Sequence, residues 1–191
     1  KDNMWGYNRH TDQTVNIYSA FLQNEWKNDR WGILIGGRLD KHNMVDNVIF
    51  SPRANLRFNP TQNINLRLSY SSGFRAPQAF DEDMHIENVG GTVAMIERAK
   101  DLKEEKSQSF SVSADMYHRF GAFQTNLLIE GFYTRLTDVF VLGKPYDRGD
   151  GILVKTRSNG PGAKVMGLTL EGKVAYLSIL QIQAGLTLQR S

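Results

Sequence analysis

The chain has 191 residues, 40% of them hydrophobic, no cysteine and a formal net charge of +3, which by length fits one large domain. The lack of thiols excludes a disulfide framework, a CxxC redox centre and a thiolate zinc site. Mainly apolar runs such as Val15 to Leu22 and Trp31 to Ile35 fall far short of the roughly 18 residues of a transmembrane helix, whereas a transmembrane strand needs only about 9 to 11 with one apolar face.

In chain order, the dominant signal is an alternation of period two, the spacing that sends successive side chains to opposite faces of a strand. From Ser19 to Trp26, one face carries Ser19, Phe21, Gln23 and Glu25 and the other Ala20, Leu22, Asn24 and Trp26. Asn28 and Asp29 predict a tight turn. The next run sets Trp31, Ile33, Ile35 and Leu39 against Arg38 and Asp40. After a connector from His42 to Phe50, Arg53, Asn55 and Arg57 alternate with Ala54, Leu56 and Phe58. Pro60 to Asn63 predict a short turn, and the return strand sets Ile64, Leu66, Leu68 and Tyr70 against Asn65, Arg67, Ser69 and Ser71.

Residues 73–106 break the pattern with glycine, proline and many charges, as long functional connections do. Within them, Val93 to Glu105 predicts one or two turns of amphipathic helix, with Met95, Ala99 and Leu102 aligned. Strands resume near Ser107, where Phe110, Val112, Ala114 and Met116 alternate with Ser109, Ser111, Ser113 and Asp115. Arg119 to Ala122 predict a turn into a strand from Phe123 to Arg135. A second long connection, rich in Gly, Pro and Asp, covers residues 143–163. The final pair sets Met166, Leu168 and Leu170 against Thr169, Glu171 and Lys173, and Leu180, Ile182, Ala184, Leu186 and Leu188 against Gln181, Gln183, Thr187 and Gln189.

The fold class is therefore all-β, an antiparallel up-and-down meander of about eight strands. Two arrangements suit such strands: a soluble sandwich with its oily faces meeting inside, or a membrane barrel with its oily face turned to lipid. The turns at Asn28, Pro60 and Arg119 alternate with the long connections, as in outer-membrane barrels, and Trp26 and Trp31 flank one turn where an aromatic girdle would lie. This favours part of a larger transmembrane barrel. It predicts that Leu22, Ile33, Leu66, Leu168 and Leu186 share the outer face, with Gln23, Arg38, Arg67 and Glu171 on the inner one. Residues 78–106 and 143–163 are expected at the opposite end from the short turns. Basic residues are scattered singly with no basic stripe, so no nucleic acid is expected as a partner.

Ser51-Pro52-Arg53-Ala54-Asn55-Leu56 and Ser72-Gly73-Phe74-Arg75-Ala76-Pro77 resemble motifs of TonB-dependent outer-membrane receptors. Gly37-Arg38-Leu39-Asp40 before them and Leu102-Lys103-Glu104-Glu105-Lys106-Ser107 after them extend the resemblance over most of the chain. Glu104 stands where the family often has proline, which predicts a different start to the following strand. The resemblance implies a C-terminal part of a many-stranded barrel in the outer membrane of a Gram-negative bacterium, with 1–191 a partial barrel domain and the plug and TonB box absent from it. It implies TonB-energised uptake of a nutrient such as an iron-siderophore or other metal chelate, with haem or cobalamin as alternatives. The implied partners are outer-membrane lipid, the TonB complex through the plug and N-terminal box, and the small-molecule ligand. No enzymatic activity, cofactor or resident metal is implied.

Candidate ligand-binding residues are Arg75, Asp81, Asp83, His85 and Glu87. Arg75 reads first as structural, with Pro77 ending the strand and the arginine pairing in the polar lumen. Asp81, Glu82, Asp83, His85 and Glu87 offer hard oxygen ligands but lack the glycine-punctuated spacing of a calcium loop, and read as a solvated acidic loop. Haem receptors of the family place a histidine ligand between the Phe-Arg-Ala-Pro element and an Asn-Pro-Asn-Leu box. His85 lies in that interval, but Ala99-Lys100-Asp101-Leu102 replaces the box. His10, His42 and His118 are isolated and expected at turns or strand ends. Arg148-Gly149-Asp150 and Gly160-Pro161-Gly162 read as turns. No nucleophile elbow or paired catalytic carboxylates stand out.

Overall fold

The computed structural model describes residues 2–4, 9–11, 14–77, 87–89, 92–149, 153–177 and 179–191; strands over 2–4, 9–11, 87–89 and the first part of 92–98 are described by backbone. Eight long strands form one antiparallel wall: β3 (Ile17–Lys27), β4 (Trp31–His42), β5 (Ile49–Thr61), β6 (Ile64–Arg75), β9 (Glu105–Phe120), β10 (Phe123–Thr137), β14 (Ala163–Tyr176) and β15 (Leu180–Arg190). Their order in the sheet follows the chain, from β3 at one edge to β15 at the other, which is a meander. A short N-terminal pair, β1 (Asp2–Met4) and β2 (Arg9–Thr11), stands as its own sheet. A second sheet is built from the long connections: β7 (Glu87–Val89), β8 (Thr92–Arg98), β11 (Phe140–Leu142), β12 (Tyr146–Asp147) and β13 (Leu153–Asn159).

The register fixes the faces. One row of opposed residues crosses all eight strands through Trp26, Ile33, Leu56, Leu68, Val112, Gly131, Leu168 and Leu188. The next row, on the other face, crosses all eight through Lys27, Gly32, Arg57, Arg67, Ser113, Glu130, Thr169 and Thr187. Because opposed residues share a face, Leu22, Ile33, Leu66, Leu168 and Leu186 lie together, and Gln23, Arg38, Arg67 and Glu171 lie together opposite them, as the alternation predicts.

No second sheet of the described residues covers the aliphatic face: Leu22 is 82% exposed, Leu186 55% and Leu168 41%. The sandwich alternative therefore fails, since its oily faces would be buried against each other. Burying a leucine side chain contributes about 1.5–3 kcal/mol, and the wall gains this only where something apolar covers that face. Aromatic rings of the same face gather at the short-turn end, with Trp31 stacked on Phe58 at 4.2 Å and Phe123 4.9 Å from Tyr176. That is where an interfacial girdle belongs.

The short turns fall at one end. Asn28 Oδ1 accepts from the amides of Arg30 (2.9 Å) and Trp31 (2.7 Å), closing the β3–β4 turn, and Gly121, at φ +58°, closes the β9–β10 turn. The opposed pairs Asp40–Ile49, Arg75–Glu105 and Leu136–Ala163 place the long connections at the other end, as expected. Pro77 stands two residues beyond Arg75, the last of β6, and His42 ends β4.

Two expectations need correction. The amphipathic helix over Val93 to Glu105 is strand β8 followed by a turn at Lys100 and Asp101. Thr92, Val93 and Ile96 are β-branched, and pairing with β13 supplies the backbone partners that a helix would have found within itself. The strand expected from Ser107 starts at Glu105, and the departing Glu104 takes the Lys106 Nζ at 2.9 Å.

Candidate ligand-recognition end

The candidate site lies where β6 and β9 emerge from the wall and meet the sheet of long connections. Arg75 is the last residue of β6 and is opposed to Glu105, the first of β9. Its guanidinium stands 3.9 Å from the Glu105 carboxylate and 4.9 Å from the Phe140 ring centroid of β11. Glu105 also accepts from the Phe140 amide at 3.2 Å. Arg75 is thus a clasp joining β6, β9 and β11 by an exposed ion pair and a cation–π contact.

The sheet above it is held by pairing far apart in sequence. β8 and β13 run parallel, with Leu153 opposed to Ala94 and Arg157 to Arg98. Asn159 ties it to the wall: Lys103 N donates to Asn159 Oδ1 (2.7 Å), and Asn159 Nδ2 donates to the carbonyls of Asp138 (2.7 Å) and Lys103 (3.1 Å). Asp138 adopts a left-handed conformation, φ 54°, which an aspartate tolerates better than most residues. Val154 and Ile96 are buried, as is Arg157. Burial, and then the positive charge of Arg75, hold the Arg157 guanidinium below its ordinary range. Gly149, at φ +101°, donates its amide to Asp147 Oδ1 at 2.8 Å, and Asp150 of the Arg148-Gly149-Asp150 stretch lies outside the described residues.

Of the five candidate residues, Arg75 is in this cluster. Asp81, Asp83 and His85 lie outside the described residues, and Glu87 lies in β7 without a described side chain. Among the described residues no group of three or more His, Cys, Asp or Glu could hold a metal ion. Sequence reasoning missed Arg157, Phe140 and Asn159. Arg157 and Asn159 lie in the long connection expected over residues 143–163 and Phe140 just before it, with nothing in their spacing to set them apart.

An amphipathic antiparallel meander with one bare aliphatic face, short turns at one end and a structured loop assembly at the other defines an outer-membrane-type barrel wall. The chain belongs to the TonB-dependent receptor family: the model of the TonB dependent receptor-like β-barrel matches residues 2–191. Its fold is similar to the siderophore receptor PirA of Pseudomonas aeruginosa (TM-score 0.76, 16% identity, 92% of this chain and 34% of that one). It is also similar to a variant of the ferric enterobactin receptor PfeA of Pseudomonas aeruginosa (0.73, 20%, 95% and 27%). A third likeness is to the FrpB iron transporter of Neisseria meningitidis (0.66, 16%, 92% and 26%). The chain spans about a third or less of the length of these receptors. No curated protein matches the sequence.

Proposed function

We propose that the chain is wall and external loops of an outer-membrane receptor that captures an iron chelate and takes it up with work supplied through TonB. The observation that carries this reading is the sheet of long connections, fastened to the wall by Arg75, Glu105 and Asn159 at the end away from the short turns. A recognition surface on a rigid scaffold needs such fastening, because binding that must first order its loops loses affinity to entropy. The similar structures, a siderophore receptor, a ferric enterobactin receptor and an iron transporter, agree in ligand class. In this reading residues 1–191 are a partial barrel domain, the plug and TonB box lie elsewhere in the parent chain, and the bare aliphatic face lies in lipid.

The test is uptake of radiolabelled ferric chelates by cells with and without the full-length gene, each with TonB intact or removed. Accumulation that needs both the gene and TonB is expected; accumulation independent of the gene overturns the proposal.

A further inference from the structure

We propose a binding site for a phosphate-bearing lipid headgroup on the outer face of the wall, formed by Arg135 of β10, Lys164 of β14 and Arg190 of β15. It rests on the receptor reading, in which this face lies in lipid, and adds to it a chemically selective contact with one leaflet.

The register places the charges. On the aliphatic face of the eight strands stand Lys41, Lys106, Arg135, Lys164 and Arg190, all at the long-connection end, and no Asp or Glu. At the short-turn end the same face carries aromatic rings and no lysine or arginine. Cations that only flanked the apolar belt would stand at both ends, whereas a one-ended set matches a leaflet whose surface is anionic.

Their height along the strands suits a headgroup. Tyr70, Phe110 and Tyr133 form one row of opposed residues, with the first two rings 4.7 Å apart. From Phe123, in the girdle at the short-turn end, to Tyr133, β10 climbs about 33 Å at the usual rise per residue. At a strand tilt of about 40° that spans about 25 Å of membrane, the height of the apolar band of an outer-membrane barrel. Arg135 and Lys164 lie one row beyond Tyr133 and Met166, where headgroups begin.

Two of the five cations are already engaged: Lys41 Nζ donates to the carbonyls of Val45 (3.3 Å) and Asp46 (2.6 Å), and Lys106 Nζ pairs with Glu104 at 2.9 Å. Arg135, Lys164 and Arg190 are exposed and make no hydrogen bond or ion pair with a described residue. Arg135 and Lys164 are directly opposed, so their side chains start about 5 Å apart, and like charges so placed destabilise a sheet unless an anion joins them. Arg190, opposed to Met166, is the diagonal neighbour of Lys164 at about 7 Å. A phosphate between the three would accept paired N–H bonds from a guanidinium and a point contact from the ammonium, while its acyl chains run down over Tyr133 and Leu168 of the same face.

The experiment uses the full-length receptor in phosphatidylcholine vesicles, with any cysteine elsewhere in the parent removed and a fluorophore on Gln108→Cys, which is opposed to Arg135. A quencher-bearing acyl chain is added on phosphatidate or, separately, on phosphatidylcholine. Phosphatidate should reach half-quenching at a mole fraction at least fivefold lower, and Arg135→Gln combined with Lys164→Gln should bring the two lipids within twofold. A label at Met116→Cys, on the same face towards the short-turn end, should show no preference, and every variant should keep the heat-resistant migration of a folded barrel. Inorganic phosphate at constant ionic strength should leave the preference in place; its loss there would make the site one for the free ion and overturn the lipid assignment. Equal quenching by the two lipids at Gln108→Cys, a preference that survives the double variant, or quenching by neither lipid also overturns the proposal. Uptake enters none of these measurements, so failure here leaves the cellular test standing, and failure of uptake leaves the lipid preference measurable.

Discussion

The eight-stranded wall and the sheet of long connections are two ways of making β-structure from one chain. The wall pairs each long strand with its neighbour in the chain and leaves its aliphatic face bare, so that Leu22 and Leu186 are mostly exposed. The connection sheet pairs segments far apart, as in the bonds between Asn159 and Lys103, 56 positions apart, and buries Val154 completely. The larger sheet thus depends on its surroundings for cover over its aliphatic face and packs a small cluster, Val45, Ile49 and Ala76, only at its long-connection end, whereas the smaller buries Val154 and Ile96 without such cover. Recognition and membrane embedding are placed in regions that should fail independently.

The strongest way to break that comparison is Val154→Asp, which puts an unpaired charge at a fully buried position of the connection sheet and should destabilise it by about 3–5 kcal/mol. In the full-length receptor, protease cleavage within residues 138–162 should rise and chelate binding fall, with the barrel's heat-resistant migration unchanged. Loss of that migration would show that the two regions are one cooperative unit.

Next in size is the converse change. Val112→Arg, mid-strand on the aliphatic face, should cost about 2–4 kcal/mol of folding stability in lipid vesicles, while Ser111→Arg on the polar face should cost less than about 1. Equal costs in urea titrations would remove the distinction between the faces. Asn159→Ala removes three hydrogen bonds and should lower local stability by about 2 kcal/mol, read as faster amide exchange at Lys103 and in β11, with wall amides unaffected. The smallest effect belongs to Glu97→Gln, which breaks the exposed Arg148 pair at 3.3 Å and should change stability by less than about 1 kcal/mol in the same exchange measurement.

The wall was legible because its information is local. Alternation over Ser19 to Trp26 or Phe110 to Met116 states a face directly, and a turn such as Asn28-Asp29 states which strand pairs next. The connection sheet was not legible, because β8 and β13 are each seven residues long and their pairing leaves no mark in either segment alone. Met95, Ala99 and Leu102 happen to fit a helical spacing, and only the partner strand decides against it. Of the candidate site, Arg75 was visible through the Phe-Arg-Ala-Pro element, whereas Arg157 and Asn159 gain their roles from tertiary placement.

The central claim, that the aliphatic face of this wall lies in lipid and the polar face in a lumen, is tested most directly by neighbouring labels on β9. The 191 residues contain no cysteine, so Val112→Cys and Ser111→Cys can each carry a fluorophore in the full-length receptor reconstituted into vesicles, with any cysteine elsewhere in the parent removed. The account predicts that a lipid-borne quencher dims the label at 112 and spares the one at 111, while a water-soluble quencher does the reverse. Quenching of both labels by the water-soluble reagent alone would contradict it.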